Sequence, residues 1–266
     1  MVENFSLTTG SAPILISFPH VGTEIPNALA GRMTDAGRAI GDTDWYLPRL
    51  YNFAQALGAS TIVARFSRYV IDLNRPPEDT NLYPGQEATG LVPVDTFGKE
   101  RIYLPDAAPD AEEIAVRRAN FWLPYHAALV AELARIKQQH GWALLWDAHS
   151  IVSCVPRFFS GKLPDLNLGT ADGESCGAAI QAAVEDSLRA QSDFNWVVNG
   201  RFKGGYITRR YGRPAQRIHA LQLEMCCRTY MEEAPPWRFD DARANGVRPV
   251  LQACVQSALA AAAKVR

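Results

Sequence analysis

Short apolar runs that end abruptly on a polar side chain recur along this chain, and they constrain its fold more than any other feature. Ile14-Leu15-Ile16-Ser17-Phe18 reads as a buried strand closed by Pro19 and followed at once by His20. Thr61 to Ala64 is a second run, and Tyr69 to Leu73 a third, stopped by Asn74-Arg75-Pro76-Pro77. Trp142 to Trp146 delivers Asp147 and His149, Trp196 to Val198 precedes a glycine-rich loop, and His219 to Met225 carries Glu224 near its end. Between these runs lie segments with helical period. Asp44 to Leu57 places Tyr46, Leu47, Leu50, Phe53, Ala54 and Leu57 on one face. Glu112 to His140 is the longest such segment, closed by Gly141; Gly173 to Ala190 and Val247 to Lys264 are the others. Strands alternating with helices predict an α/β fold, a mixed, largely parallel central sheet flanked by helices. The absence of repeats, low-complexity tracts or long linkers predicts one domain spanning residues 1–266. The Pro-, Gly- and Asp-rich stretch from Glu78 to Pro109 reads as an extended excursion, of the kind that is often functional.

Composition narrows the partners. A net charge of -1 gives no general attraction to nucleic acid or anionic lipid, though a local group of arginines can still draw a small anionic substrate. No segment reaches the roughly 18 apolar residues of a membrane span, and the first residues lack the basic and apolar regions of a signal peptide. The five cysteines are odd in number and fit neither a zinc ribbon nor a C-x-x-C pair, so they read as reduced, mostly buried thiols of a cytoplasmic enzyme.

In open α/β sheets, sites gather beyond the carboxyl ends of strands, and the reactive residues of this sequence fall there repeatedly. His20 and His149 each leave an apolar strand. Either alone reads more simply as a turn histidine bonded to backbone, but two at two strand ends can converge on one sheet edge. With a carboxylate and an open position they have the composition of a catalytic zinc site. Asp44 is the preferred third ligand, with Asp42 and Glu24 as rivals, since one of the two aspartates before a helix serves as its N-cap. Asp147 shares a strand face with His149 and suits an orienting role. Glu224 is either a general base or the partner of Arg228 or Arg210. Arg75, beside Asn74, suits a carboxylate through its paired donors, while Arg68 is open to an ion pair with Asp72 or Glu78. Arg201, Lys203, Arg209 and Arg210 flank Gly204-Gly205, a basic loop that suits an acidic substrate. The G-x-x-x-x-G-K-[ST] phosphate loop and the G-x-S-x-G nucleophile elbow are both absent. His126, His140 and His219 read as packing residues.

The segments ISFPHVGTEIP, GDTDWYLPRLY, FSRYVIDLNRP, LLWDAHSI, LPDLNLGT, NGRFKGGYITRRYG and HALQLEMCCRTYM, in this order over nearly the whole chain, resemble the bacterial N-formylglutamate amidohydrolases of histidine breakdown. The resemblance implies hydrolysis of N-formyl-L-glutamate to formate and L-glutamate, one divalent metal, expected to be zinc, and a fold related to the zinc carboxypeptidases. It implies metal ligation by His20 and His149, a base role for Glu224, and a carboxylate-holding Asn74-Arg75 pair. Arg68 or the metal would steady the oxyanion, and Arg209 would join Arg75 on the substrate. The carboxypeptidase pattern H-x-x-E fails here because Thr23 stands where Glu is needed, so the third ligand falls to Asp44 by inference. Arg210 stands where relatives often carry His. A deacylase for another acidic N-acyl amino acid and a non-catalytic small-molecule binder are the alternative readings. The oligomeric state is not legible in the sequence.

Overall fold

The computed structural model describes residues 3–82 and 84–265. Met1 and Val2, which entered the signal-peptide reading, and Tyr83 of the excursion lie outside the described residues. Among the described residues, seven strands form one sheet: β1 (Phe5–Thr8), β2 (Ile14–Phe18), β3 (Ser60–Ala64), β4 (Ala143–Ile151), β5 (Leu166–Gly169), β6 (Trp196–Val198) and β7 (Ile218–Cys226), in the order β1-β3-β2-β4-β7-β5-β6. The central pairs β3/β2, β2/β4 and β4/β7 are parallel; β1 and β5 run antiparallel to their neighbours β3 and β7. This is the mixed, largely parallel sheet that the alternating pattern predicts.

Both sheet faces are covered, so the central strands carry apolar residues on both faces over most of their length. Ile14, Ile16 and Phe18 of β2, Leu144, Trp146 and Ala148 of β4, and Leu221, Leu223 and Met225 of β7 point to one face. There they pack against Ile180, Val184 and Leu188 of the helix Ala178–Arg189 and Leu251, Val255 and Ala258 of the helix Asp241–Ala262. The intervening residues Leu15, Ala143, Leu145 and Ala220 point to the other face, against Leu129, Leu133 and Ile136 of the helix Leu123–His140. On this second face the strands change character toward their carboxyl ends. Ser17, Asp147, His149, Gln222 and Glu224, all buried, replace the apolar residues. Alternation fixes this set: one residue of register slip would turn all of them into the opposite, largely apolar layer.

The long helix that covers this face is continuous over 111–140 but passes through a π-helical segment, Arg118–Trp122. Pro124 has no N–H to give to the carbonyl of Asn120, and Asn4 Nδ2 donates to that oxygen instead. The wider turn carries Trp122 and His126 beside the segment Leu73–Arg75. Trp122 Nε1 donates to Arg75 O at 3.1 Å, and His126 Nε2 to Leu73 O at 2.8 Å.

Four expected elements differ, one of them the helix read from Gly173, which starts at Ala178. The segment Tyr69–Leu73 is buried but is not a strand; its backbone is tied to loops, with Val70 N donating to Ser67 O and Asp72 N to Leu91 O. Its apolar residues Tyr69 and Val70 fill a small core with Met33 and Ile102, which mimics a strand's composition without strand pairing. The helix expected from Asp44 to Leu57 is two single turns, Leu47–Leu50 and Phe53–Ala56, because Asp44 is engaged in the site and Tyr46 takes φ 61°. The last helix starts at Asp241 rather than Val247, capped by the Asp240 carboxylate accepting from Arg243 N at 3.0 Å, and it tolerates Pro249 in its third turn. β1, β5 and the helix Tyr206–Tyr211 are further elements that the pattern did not single out. The thiols are free, Cys154 exposed and the other four buried.

Candidate active site

Three adjacent strand ends and two loops build the site. His20 follows β2 directly, and Asp44 N donates to His20 O at 3.0 Å, which brings the Asp44 loop over the strand end. His149 and Glu224 are paired in register on neighbouring strands β4 and β7. His20, Asp44 and His149 are all buried, and their ligand atoms lie within 4.8 Å of one another. Asp44 Oδ2 is 3.1 Å from His149 Nδ1 and 3.8 Å from His20 Nδ1.

The far nitrogen of each imidazole is held by a carboxylate. His20 Nε2 donates to Asp72 Oδ1 at 2.7 Å, and His149 Nε2 lies 3.0 Å from Asp147 Oδ2. Such carboxylate–histidine pairs fix ring orientation and raise ligand basicity in metal sites. Asp44 Oδ1 is a buried carboxylate oxygen without a hydrogen-bond partner, an expensive state that a cation would relieve. Two imidazole nitrogens and a carboxylate, each backed by a further carboxylate or backbone donor, fit one divalent metal with open positions. The rivals of Asp44 lie elsewhere. Asp42 Oδ2 accepts from Phe97 N at 2.8 Å, and Glu24 is exposed in an ion pair with Arg65 at 2.8 Å.

Charge around this group is dense. Arg68 is buried, donates to Asp72 Oδ2 at 2.7 Å, approaches Asp44 Oδ1 at 3.9 Å, and lies over the Phe97 ring at 4.9 Å. Its ion pair with Asp72 is the structural role that the sequence left open, and the same guanidinium lines the cleft. Burial works against the charge of Asp72, but His20, Arg68 and Arg75 hold its carboxyl well below the usual range. Burial lowers the His20 imidazole and Arg68 adds to that, against Asp72 and Asp44. Burial also disfavours a charged His149, yet Asp147 and Asp44 lift it well above its ordinary value. Glu224 is 7% exposed, and burial pushes its carboxyl upward, opposed by His149. Its carboxylate receives only a long contact, 3.3 Å from Gln222 Nε2, and Arg228 pairs with Asp165 at 2.8 Å instead.

A cleft of about 560 Å³ opens beside these groups, lined by His20, Arg68, Asn74, Arg75, His149 and Glu224 on its reactive side. Phe97, Phe158, Arg201 and Phe202 also line it. Asn74 uses its amide internally: Nδ2 lies 3.0 Å from His149 Nε2 and 3.4 Å from Asp147 Oδ2, and Oδ1 accepts from Ile207 N at 2.8 Å. Gly205 makes that approach possible, because a Cβ there would fall 2.3 Å from Asn74 Nδ2. Arg75 Nε donates to Thr89 O at 2.9 Å and Nη2 to Thr89 Oγ1 at 3.1 Å, which fixes the guanidinium in the cleft wall. Arg209 is not among the cleft-lining residues; its Nε donates to Gly204 O at 2.8 Å and braces the loop. From the same basic loop it is Arg201 that reaches the cleft. The residues the sequence reading missed are Asp72 as the partner of His20, and Gln222, whose Oε1 accepts from Gly205 N at 2.7 Å. The alternation Gln222-Leu223-Glu224 carried the signal for the second; nothing local distinguishes Asp72 from the ordinary ion-pair partner of Arg68. His126 is buried and stacked on Trp122, and His219 Nδ1 accepts from Gly177 N at 3.2 Å, so both are packing residues.

The profile of the family described as N-formylglutamate amidohydrolase matches residues 12–231. The chain is 48% identical over 260 residues to an N-formylglutamate deformylase of Pseudomonas aeruginosa, covering 98% of this chain and 97% of that one. It is 45% identical over the same length to an N-formylglutamate deformylase of Pseudomonas putida. The crystal structure of an N-formylglutamate amidohydrolase from Ralstonia eutropha JMP134 superposes with a TM-score of 0.81 at 25% identity, covering 100% of this chain and 99% of that one. A gene product of Agrobacterium tumefaciens shares the fold with a TM-score of 0.73 at 17% identity.

Proposed function

The chain belongs to the N-formylglutamate amidohydrolase family, and on that footing we propose that it hydrolyses N-formyl-L-glutamate to formate and L-glutamate at the His20–Asp44–His149 site. The observation that carries the reading is the juxtaposition of that ligand set with a buried carboxylate, Glu224, one strand away in register with His149. A divalent metal held by His20, Asp44 and His149, which we take to be zinc, would supply Lewis-acid polarisation of the formyl oxygen and acidify a water.

The rest of the chemistry is assigned to side chains of this chain. Glu224 takes a proton from the attacking water, a task its burial favours by raising its proton affinity. The same carboxyl then returns the proton to the amide nitrogen as the C–N bond breaks, so that formate and the amine leave together. Arg68, held by Asp72, faces the developing oxyanion with a charge that cannot be lost. Arg75 receives a substrate carboxylate, its fork preset by Thr89. Asn74 keeps the His149–Asp147 pair in place and joins it to the loop at Ile207. A place in histidine breakdown and residence in the cytoplasm belong to the same proposal. No helix among the described residues is long and apolar enough to cross a membrane.

The test is formate release from N-formyl-L-glutamate by the purified protein supplied with divalent metal. Formate and glutamate in equal amounts are expected. A folded, metal-supplied protein that releases no formate would overturn the reading.

A further inference from the structure

The cleft lining carries a third guanidinium, beside those of Arg68 and Arg75, whose placement the reaction itself does not require. Arg201 lines the cleft between two aromatic rings, its Cζ 5.7 Å from the centroid of Phe158 and 5.3 Å from that of Phe202. Its Nε donates to Phe158 O at 2.8 Å and its Nη2 to Glu87 O at 3.2 Å. Arg75, on the reactive side, is bonded to Thr89 O and Thr89 Oγ1. Both guanidiniums are therefore fastened to one short segment, Glu87-Ala88-Thr89, whose middle residue also lines the cleft. The segment is itself anchored, since Glu87 pairs with Arg157 at 2.8 Å and with Lys99 at 3.1 Å. Carbonyls two residues apart are separated by at most about 7 Å along extended backbone. The two guanidiniums are thus tied to nearby carbonyls of one anchored segment in the cleft wall, with the Phe158 and Phe202 rings against Arg201.

From this we propose that Arg201 is a specificity-determining residue: it reads the side-chain carboxylate of the substrate while Arg75 reads the α-carboxylate, and residues 87–89 set the spacing between them. This rests on the proposed hydrolysis of N-formylglutamate and adds to it the choice of a dicarboxylate over a neutral amide of the same shape. A half-buried guanidinium gains a charge-assisted, paired contact from a carboxylate that a neutral amide of the same shape does not supply. Arg209, on the helix Tyr206–Tyr211 and not among the cleft-lining residues, takes no part in this reading.

The experiment compares kcat/KM for N-formyl-L-glutamate and N-formyl-L-glutamine in the wild type, Arg201→Met and Arg201→Lys. In parallel, binding of the products L-glutamate and L-glutamine to the metal-supplied proteins is measured by calorimetry. The wild type is expected to prefer the glutamate substrate by on the order of 100-fold or more, as a fully paired carboxylate gives. Arg201→Met should lose most of that ratio through the glutamate substrate, and Arg201→Lys should recover part of it. An unchanged ratio in Arg201→Met, or an equal fall for both substrates, would overturn the assignment and leave Arg201 a brace for its loop. If no formate is released but calorimetry still shows glutamate preferred over glutamine, and Arg201→Met abolishes that preference, the reaction falls while the carboxylate assignment stands.

Discussion

The two faces of the central sheet are made from alternate residues of the same strands, yet they do different work. The face under the helices Ala178–Arg189 and Asp241–Ala262 is apolar along most of β2, β4 and β7, with His219 at the start of β7 and Ser150 near the end of β4 as its polar members. The face under the helix Leu123–His140 is apolar only toward the strand starts and becomes Ser17, Asp147, His149, Gln222 and Glu224 toward the strand ends. The covered face holds the strands in register by burial, and that register alone delivers a set of polar groups to one spot on the other face. Stability and chemistry are thereby separated by the pleat: neighbouring residues such as Leu223 and Glu224 belong to different layers and answer to different demands.

Substitutions on the two faces should therefore fail differently. Glu224→Gln keeps the shape of the site and removes the base, so kcat should fall by about 10²–10⁴-fold while the thermal midpoint holds; near-wild-type turnover would show that another group moves the proton. Leu251→Ala, on the helix behind the apolar face, should cost about 2–5 kcal/mol in denaturant unfolding with kcat and KM unchanged at temperatures where the protein stays folded. If it altered kcat as strongly as stability, the separation of the two layers would be lost. Asp147→Asn should weaken metal binding by roughly 10–100-fold, measured by competition with a chelating dye, because His149 would lose its orienting carboxylate.

A last effect, confined to acid conditions, concerns His126, at the seam between the long helix and the site. Burial pushes its imidazole down to about 3 from the ordinary 6.5, despite the Leu73 carbonyl that favours the ring's proton. Between those two values the unfolded chain holds a proton at this ring that the native protein does not. Stability linked to His126 is then complete above pH 6.5 and is lost as pH falls toward 3, at about 1.4 kcal/mol per pH unit. Unfolding free energies measured across that range should show a slope that His126→Gln reduces; equal slopes in the two proteins would place the acid sensitivity elsewhere.

Much of this contrast was legible before any coordinates. Apolar runs ending on His20, on Asp147 with His149, and on Glu224 announced both the sheet and the place where reactive groups gather. Where the reading failed, contacts distant in sequence decided the outcome. Tyr69–Leu73 has strand composition, but Tyr69 and Val70 serve a separate small core, Ile71 and Leu73 join the core under the long helix, and its backbone partners are loop atoms. Asp44 leads a segment with helical period, yet its carboxylate is drawn to His149 and to Ser150 N at 3.1 Å. Arg201 and Arg209 are equivalent in a basic loop until the helix Tyr206–Tyr211 turns one toward Gly204 O and leaves the other against Phe158 and Phe202. Local sequence cannot rank such arginines, because the ranking depends on which loop wall each one meets.

Formate release from N-formyl-L-glutamate, followed with bound metal through chelation and zinc re-addition, tests the central claim most directly when His149→Ala is carried alongside the wild type. The account predicts that activity disappears with the metal and returns with it in the wild type, near one ion per chain, and that His149→Ala neither holds the ion nor turns over. Full activity in verified metal-free protein, or in a His149→Ala variant, would contradict it.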